Sequence, residues 1–206
     1  MTDFKDLVAE LRQKATSASR FMVGIAGPPG SGKSTTAAAL RDALMAQGES
    51  AIVVPMDGFH FDDAVLNARG HRPRKGAPFT FDAAGFEVLL KRIKAREPDI
   101  AIPVFDRSME LARAGADIVT DEAKFILVEG NYLLLKEAPW NRLKPLFDFT
   151  VFLDVPEAEL ERRLMQRWLG FDFTPERAKA WIASNDMPNV RTVRESSAKA
   201  DLTLSF

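Results

Sequence analysis

The chain has 206 residues, 46% of them apolar, with 28 basic side chains against 29 acidic ones, a net charge of −1 and no cysteine. That length suits one well-buried core and is short for two, so a single domain over residues 1–206 with small appended segments is expected. Balanced charge creates no bulk field for nucleic acid or an anionic membrane, and without thiols there is neither a disulfide framework nor a thiolate metal site.

At the N-terminus, Phe4, Leu7, Val8 and Leu11 recur at helical spacing between charges over Met1 to Arg20. This reads as an amphipathic helix and not a signal peptide. The longest apolar runs, Phe125 to Val128 and Tyr132 to Leu135, are too short to cross a bilayer, so a cytoplasmic protein with no membrane partner is expected. Phe21 to Ala26 is apolar and partly β-branched, a strand; Ser34 to Ala46, rich in Ala and Leu, is a helix.

Between them lies Gly27-Pro28-Pro29-Gly30-Ser31-Gly32-Lys33-Ser34, which fits the phosphate-binding pattern G-x-x-x-x-G-K-[ST]. Glycines allow the positive φ and close backbone approach that such a loop needs, and the helix behind it offers unpaired N–H groups and a positive dipole end. Residues Gly27 to Thr35 are therefore assigned to a nucleoside triphosphate, Lys33 to its β/γ-phosphates and Ser34 to Mg²⁺. ATP and Mg²⁺ are the expected cofactors.

Further along, Ala51 to Val54 reads as a second strand, Asp82 to Arg96 as a helix, Phe125 to Val128 as a third strand and Phe149 to Leu153 as a fourth. Pro156 opens a helix over Glu157 to Leu169, Pro175 to Ser184 forms another, Asn185 to Arg194 reads as a polar loop, and Leu202 to Leu204 as a closing edge strand. Short, nearly continuous apolar strands suit a parallel sheet covered by helices on both faces, an α/β fold. Two segments break the alternation. Asp57 to Thr80 is rich in Gly, Pro and basic residues, and Ile100 to Val119 suggests a hairpin that pairs Ala101–Phe105 with Asp117–Val119. Such inserts usually bind ligands, so the second substrate is placed there.

In an open parallel sheet, ligands gather beyond the carboxyl ends of the strands. Asp57, Glu129 and Asp154 follow the second, third and fourth strands. Asp57 is the candidate base for an attacking hydroxyl and Glu129 a carboxylate for Mg²⁺, while Asp154 is expected to cap the next helix. Arg163 and Arg167 share a helix face with Arg162 beside them, and can supply cations to a transferring phosphoryl group. Phe105, Asp106 and Arg107 offer an aromatic wall, a hydroxyl acceptor and a cation, and Arg69, His71, Arg72, Arg74 and Lys75 form a basic cluster able to grip a phosphorylated substrate.

The loop Gly27 to Ser34, Met56-Asp57-Gly58-Phe59-His60, Pro78-Phe79-Thr80-Phe81-Asp82, Pro103-Val104-Phe105-Asp106-Arg107 and Val128-Glu129-Gly130-Asn131-Tyr132 together resemble the uridine kinase, phosphoribulokinase and bacterial pantothenate kinase superfamily. Within it the chain looks similar to a branch labelled fructose transport system kinase or fructokinase. The resemblance implies a three-layer α/β/α P-loop NTPase fold with a mainly parallel five-stranded sheet, a lid near 157–175 and substrate inserts near 57–80 and 100–119. It also implies ATP-dependent transfer to a small-molecule hydroxyl, and a sugar such as fructose is the expected acceptor. It puts the catalytic acid on Asp57, with Lys33, Arg163 and Arg167 in support, and draws the acceptor set from Asp57, Phe59, His60, Arg72, Arg74, Phe105, Asp106 and Arg107. Where uridine kinases carry a His and an Arg after the Pro-x-aromatic-Asp motif, an ungapped reading finds Glu110 and Ala112. Nucleoside, pantothenate and phosphopentose acceptors stay as alternatives, as does a P-loop ATPase or switch, and a homodimer is left open.

Overall fold

The computed structural model describes residues 4–206, and its chain runs through α1 (Phe4–Lys14), β1 (Phe21–Ala26), α2 (Lys33–Met45), β2 (Ala51–Pro55), α3 (Asp63–Ala68), α4 (Ala83–Lys94), β3 (Ile100–Asp106), β4 (Leu111–Val119), β5 (Phe125–Gly130), β6 (Phe149–Asp154), α5 (Glu157–Leu169), α6 (Pro175–Trp181), α7 (Met187–Ser196) and β7 (Leu202–Ser205). The first three residues of the expected N-terminal helix lie outside the described residues. The apolar runs assemble as one sheet in the order β2-β5-β1-β6-β7, every neighbouring pair parallel.

Alternation of side chains along each strand divides the core in two. Val23, Ile25, Leu127, Val151 and Leu153 face α1 and α2, meeting Leu7, Leu11, Leu40 and Leu44. On the other face, Met22, Val54, Ile126 and Val128 meet Phe86, Leu90 and Ile93 of α4. Each such side chain contributes about 1.5–3 kcal/mol by leaving water. These are the three expected layers. A smaller apolar cluster, with Leu160 and Leu164 of α5 against Ile182, Met187 and Val190, supports the lid.

Register fixes where the site lies. Ile25 and Pro55 both pair with Glu129, and Ala26 pairs with Gly130 and Phe152, so β1, β2 and β5 end side by side. The phosphate loop, Asp57 and Glu129 therefore emerge at one edge of the sheet.

Three local expectations are corrected. The antiparallel hairpin's second strand begins at Leu111, with Val104–Asp106 paired to Arg113–Leu111 and the register shifted between Ile102 and Val104. Pro103, which has no N–H for the ladder, sits at that break. Residues 185–194 are not a loop: α6 runs through a wider π-type turn at Ile182–Asp186 into α7. Pro188 cannot donate back along a regular helix and its ring would crowd the preceding turn, so the backbone widens ahead of it. Asp154 does not cap α5; no side chain caps that helix, and the Asp154 carboxylate accepts from Arg194 at 3.3 Å. Among the described residues no helix is long and apolar enough to cross a membrane.

Candidate active site

The loop after β1 closes onto α2 at Gly32, whose φ of +91° lies in the left-handed region and whose position carries no side-chain cap. The first-turn amides of α2 are thereby left for an anion. A Cβ at Gly27 would stand 2.7 Å from Ser31 Oγ and 3.0 Å from the Leu153 carbonyl, so the loop follows a path only a bare backbone fits. Lys33 is 8% exposed and its Nζ donates to the Pro28 carbonyl at 2.9 Å. Burial pulls its pKa down to about 8, against the upward pull of Glu129 and Asp57.

Ser34 Oγ donates to Glu129 Oε1 at 3.1 Å. Burial, reinforced by the charge of Asp57, pushes the Glu129 carboxyl above its ordinary range. A hydroxyl and one carboxylate beside a phosphate cradle match how Mg²⁺ is commonly held, with the remaining ligands drawn from phosphates and water. Among the described residues there is no cluster of three acids or histidines for an all-protein metal site. The donors present thus fit a nucleotide-borne Mg²⁺.

Asp57 lies in the 3₁₀ turn Met56–Phe59 just past β2. A Cβ on Gly58 would come within 2.3 Å of the Pro103 carbonyl, so glycine lets this turn lie flat on β3. That contact brings the hairpin over the turn, and Arg107 donates to Asp57 Oδ2 at 2.6 Å. Burial opposes the Asp57 charge, yet His60, Arg107, Lys33 and Arg167 outweigh it and hold the carboxyl below its usual range. His60 Nδ1 is 2.8 Å from the Asp57 carbonyl, which can only accept, so Nδ1 carries the proton. Its ring packs between Phe81 and Phe105, at 3.9 and 4.8 Å, and burial lowers its pKa against the upward pull of the Asp57 charge.

A cleft of about 580 Å³ joins these parts. Lys33, Ser34, Thr35, Asp57, Glu129 and Arg167 line its phosphate side. The far side carries His60, Arg72, Lys75, Phe105, Arg107 and Glu110. Arg167 has no salt-bridge partner among the described residues; burial and the like charge of Arg107 lower its pKa, while Asp57, Asp186 and Glu110 favour its charge.

Of the expected catalytic and acceptor residues, four stand off the cleft wall. Phe59 packs on Phe86, ring centres 4.8 Å apart, as part of the core. Asp106 turns into its own loop, accepting from the Ser108 amide and hydroxyl at 3.0 and 2.6 Å and pairing with Arg113. Arg74 reaches Asn185 Oδ1 at 3.1 Å and Asn189 Oδ1 at 3.3 Å behind the wall. Arg163 pairs with Glu159 at 2.7 Å and touches the phosphate loop only through the Ser31 carbonyl at 3.4 Å.

Further residues close the cleft. Trp168 Nε1 donates to Asp186 Oδ2 at 2.7 Å, and burial lifts the Asp186 carboxyl to about 6. Arg177 stacks 3.7 Å from the centre of Phe173 on the lid, and both line the cleft. Phe173 lies just ahead of the Thr174 cap of α6, where side-chain spacing gives no helix-face signal, and the stacking is a cation–aromatic contact across that cap. For Trp168 and Asp186 the partners are eighteen residues apart, and no spacing rule joins them.

A glycine-rich loop that ties a parallel strand to a helix N-terminus, with acids past two neighbouring strands and arginines on the helix above, defines a P-loop kinase. The chain belongs to the phosphoribulokinase/uridine kinase family, whose sequence pattern matches residues 22–168. It is a phosphotransferase with a hydroxyl acceptor. A solved structure from Silicibacter sp. TM1040, described as a "putative fructose transport system kinase", superposes with a TM-score of 0.93 at 40% identity, covering 99% of this chain and 100% of that one. The Escherichia coli K12 protein "Uncharacterized protein YggC" is 35% identical over 189 residues, 91% of this chain and 78% of that relative. The Schizosaccharomyces pombe "Putative uridine kinase C227.14" is 34% identical over 194 residues, 90% of this chain and 83% of its own length.

Proposed function

We propose that this kinase transfers the γ-phosphoryl group of ATP to a hydroxyl of a neutral sugar such as fructose, with Asp57 as the base. The observation that carries this reading is the placement of the Asp57 carboxylate, ionised and held by Arg107, in the same cleft as Lys33 and Ser34. Asp57 orients the acceptor hydroxyl and takes its proton as the new P–O bond forms. Lys33 and Arg167 offset charge on the phosphate oxygens, and the lid excludes water that would otherwise compete as acceptor. Ser34 and Glu129 would hold Mg²⁺, which would supply positive charge against the phosphate oxygens. His60 and Phe105 form the wall beside the reacting hydroxyl, and Arg163 steadies the phosphate loop through Ser31. The likeness to the Silicibacter protein supports a sugar, and the fission yeast relative's name makes nucleosides the second class to try.

The test is ADP release with Mg²⁺ and ATP across sugars, nucleosides, pantothenate and phosphopentoses, with the phosphorylated product identified by mass. Strong stimulation by a neutral sugar with matching product supports the reading. Stimulation by nucleosides alone replaces fructose, and ADP release without any phosphorylated product overturns the kinase mechanism.

A further inference from the structure

The basic segment at Arg72–Lys75 invites a phosphorylated acceptor, yet its cations are already engaged. Arg72 Nε donates to Asp63 Oδ2 at 2.7 Å, and Lys75 Nζ donates to Asp63 Oδ1 at 2.8 Å. Lys75 also donates to the Glu110 carbonyl at 2.8 Å and lies 3.6 Å from its carboxylate. Asp63 is the first residue of α3 and is not part of the cleft wall, whereas Arg72, Lys75 and Glu110 are. With Arg107 committed to Asp57, three cations (Arg72, Lys75, Arg107) face three carboxylates (Asp57, Asp63, Glu110), and the acceptor end is charge-balanced. A phosphorylated acceptor would have to displace a carboxylate from a charge-assisted pair, which costs most of what the new contact gains.

Two buried amides adjoin the same segment. Asn185 and Asn189 are each 3% exposed and line the cleft. Their carbonyl oxygens are fixed by Arg74, and Asn185 Nδ2 donates to the Lys75 carbonyl at 2.9 Å. Asn189 keeps its amide N–H groups for a hydroxyl, since an amide whose oxygen is engaged still has two donors.

We infer that Asp63 sets acceptor specificity: by neutralising Arg72 and Lys75 from behind the cleft wall, it makes the acceptor pocket a site for an uncharged polyhydroxy compound and not for its phosphorylated form. This rests on the proposed function in that the far end of the cleft holds the acceptor. Asp63 is a positioning residue that touches no substrate.

The test is calorimetric binding of fructose and of fructose 1-phosphate to the full chain saturated with Mg²⁺ and ADP, which needs no turnover. Wild type is expected to bind the sugar phosphate at least about tenfold more weakly than fructose. Asp63→Asn, which frees two cations, is expected to gain about tenfold or more for the sugar phosphate, and Asp63→Glu to keep the wild-type preference. Asp63→Ser removes the same charge and serves where Asp63→Asn does not fold; it is expected to gain as much for the sugar phosphate, and a folded Asp63→Ser with no gain overturns the inference. So does a wild type that prefers the phosphate, or an Asp63→Asn that folds without the gain. A gain in Asp63→Asn with no fructose binding by wild type would keep the charge screen and remove fructose as the acceptor.

Discussion

Replacing Asp57 by Asn separates a base from a merely well-shaped side chain. The amide keeps the size of the carboxylate and one oxygen to accept from Arg107, now at 2.6 Å, but it cannot take a proton. Loss of a positioned general base costs about 10²–10⁴ in rate, equivalent to about 3–5 kcal/mol of barrier. The fold should barely notice, because the Asp57–Arg107 pair is part-exposed, at 25% and 44% of the side chains, and such pairs contribute about 1 kcal/mol or less. The assay is ADP release with mass detection of product, run beside separate measurements of ATP affinity and melting temperature. The expected result is kcat down at least about a hundredfold with ATP affinity within a few-fold of wild type. A second signature follows from the Asp57 charge, which helps keep Lys33 protonated and pushes Glu129 upward. In the variant, the alkaline limb set by Lys33 should move to lower pH. A kcat within tenfold of wild type, with ATP affinity and fold intact, would refute the role given to Asp57.

The remaining predictions concern charge and backbone space. Because Lys33 in the free enzyme titrates at about 8, kcat/KM for ATP should fall as pH rises through that value; a profile flat to about pH 9.5 would contradict its role at the phosphates. The same depression means the unfolded chain holds its Lys33 proton more tightly between about 8 and 10.5. This group's contribution to stability therefore rises with pH across that window, and below it burial of the cation costs about 3 kcal/mol at about 1.4 kcal/mol per pH unit. Lys33→Met should melt higher than wild type at pH 7 by a few degrees while losing turnover, and an unchanged or lower melting temperature counts against the buried-charge argument. Asp186, raised to about 6, behaves in the opposite sense: its contribution is fully present below about 3.8 and is lost as pH rises through about 6. Asp186→Asn, whose amide oxygen can still accept from Trp168, should flatten that decline in pH-dependent melts. Gly58→Ala sets a methyl 2.3 Å from the Pro103 carbonyl, and chemical denaturation should show a loss of about 1–3 kcal/mol together with a drop in kcat as the Asp57 turn lifts off β3.

Local chemistry explains which parts were legible in the residues alone. The phosphate loop, the five apolar strands and α4 declare themselves because glycine conformation and side-chain periodicity act within a few residues. Even the short β7 was readable, pairing in parallel with β6. The stretch after Ile182 was not. Ile182 and Met187 are five apart across the π-type turn, after which Met187, Val190 and Val193 recur every three, so the extra residue hides the helical period. Asp57 and Glu129 could be picked out because strand ends converge in a parallel sheet. Phe59 and Asp106 could not be placed, because whether a side chain beside a motif faces the ligand or the core depends on packing against Phe86 and on the hairpin turn, respectively. Asp63 gave no signal, since its partners Arg72 and Lys75 meet it only when α3 and the following 3₁₀ turn fold back together.

The proposed base and the proposed acceptor wall are joined by one chain of contacts. The Asp57 turn rests on Pro103 through Gly58, Arg107 of the same hairpin holds the Asp57 carboxylate, and Glu110 at its tip holds Lys75, which in turn holds Asp63 of α3. Asn185 completes the circuit by donating to the Lys75 carbonyl from the turn before α7, whose neighbour Asp186 is bonded to Trp168 on the lid helix. Movement of the hairpin therefore alters the distance from base to phosphate loop and the shape of the acceptor pocket at once. Substitutions along this chain of contacts should change kcat and KM together, whereas changes confined to the phosphate loop act on the nucleotide alone. The separation follows from the fold: the phosphate loop is anchored in the sheet and α2, while the acceptor side hangs on two inserts joined to it by side chains.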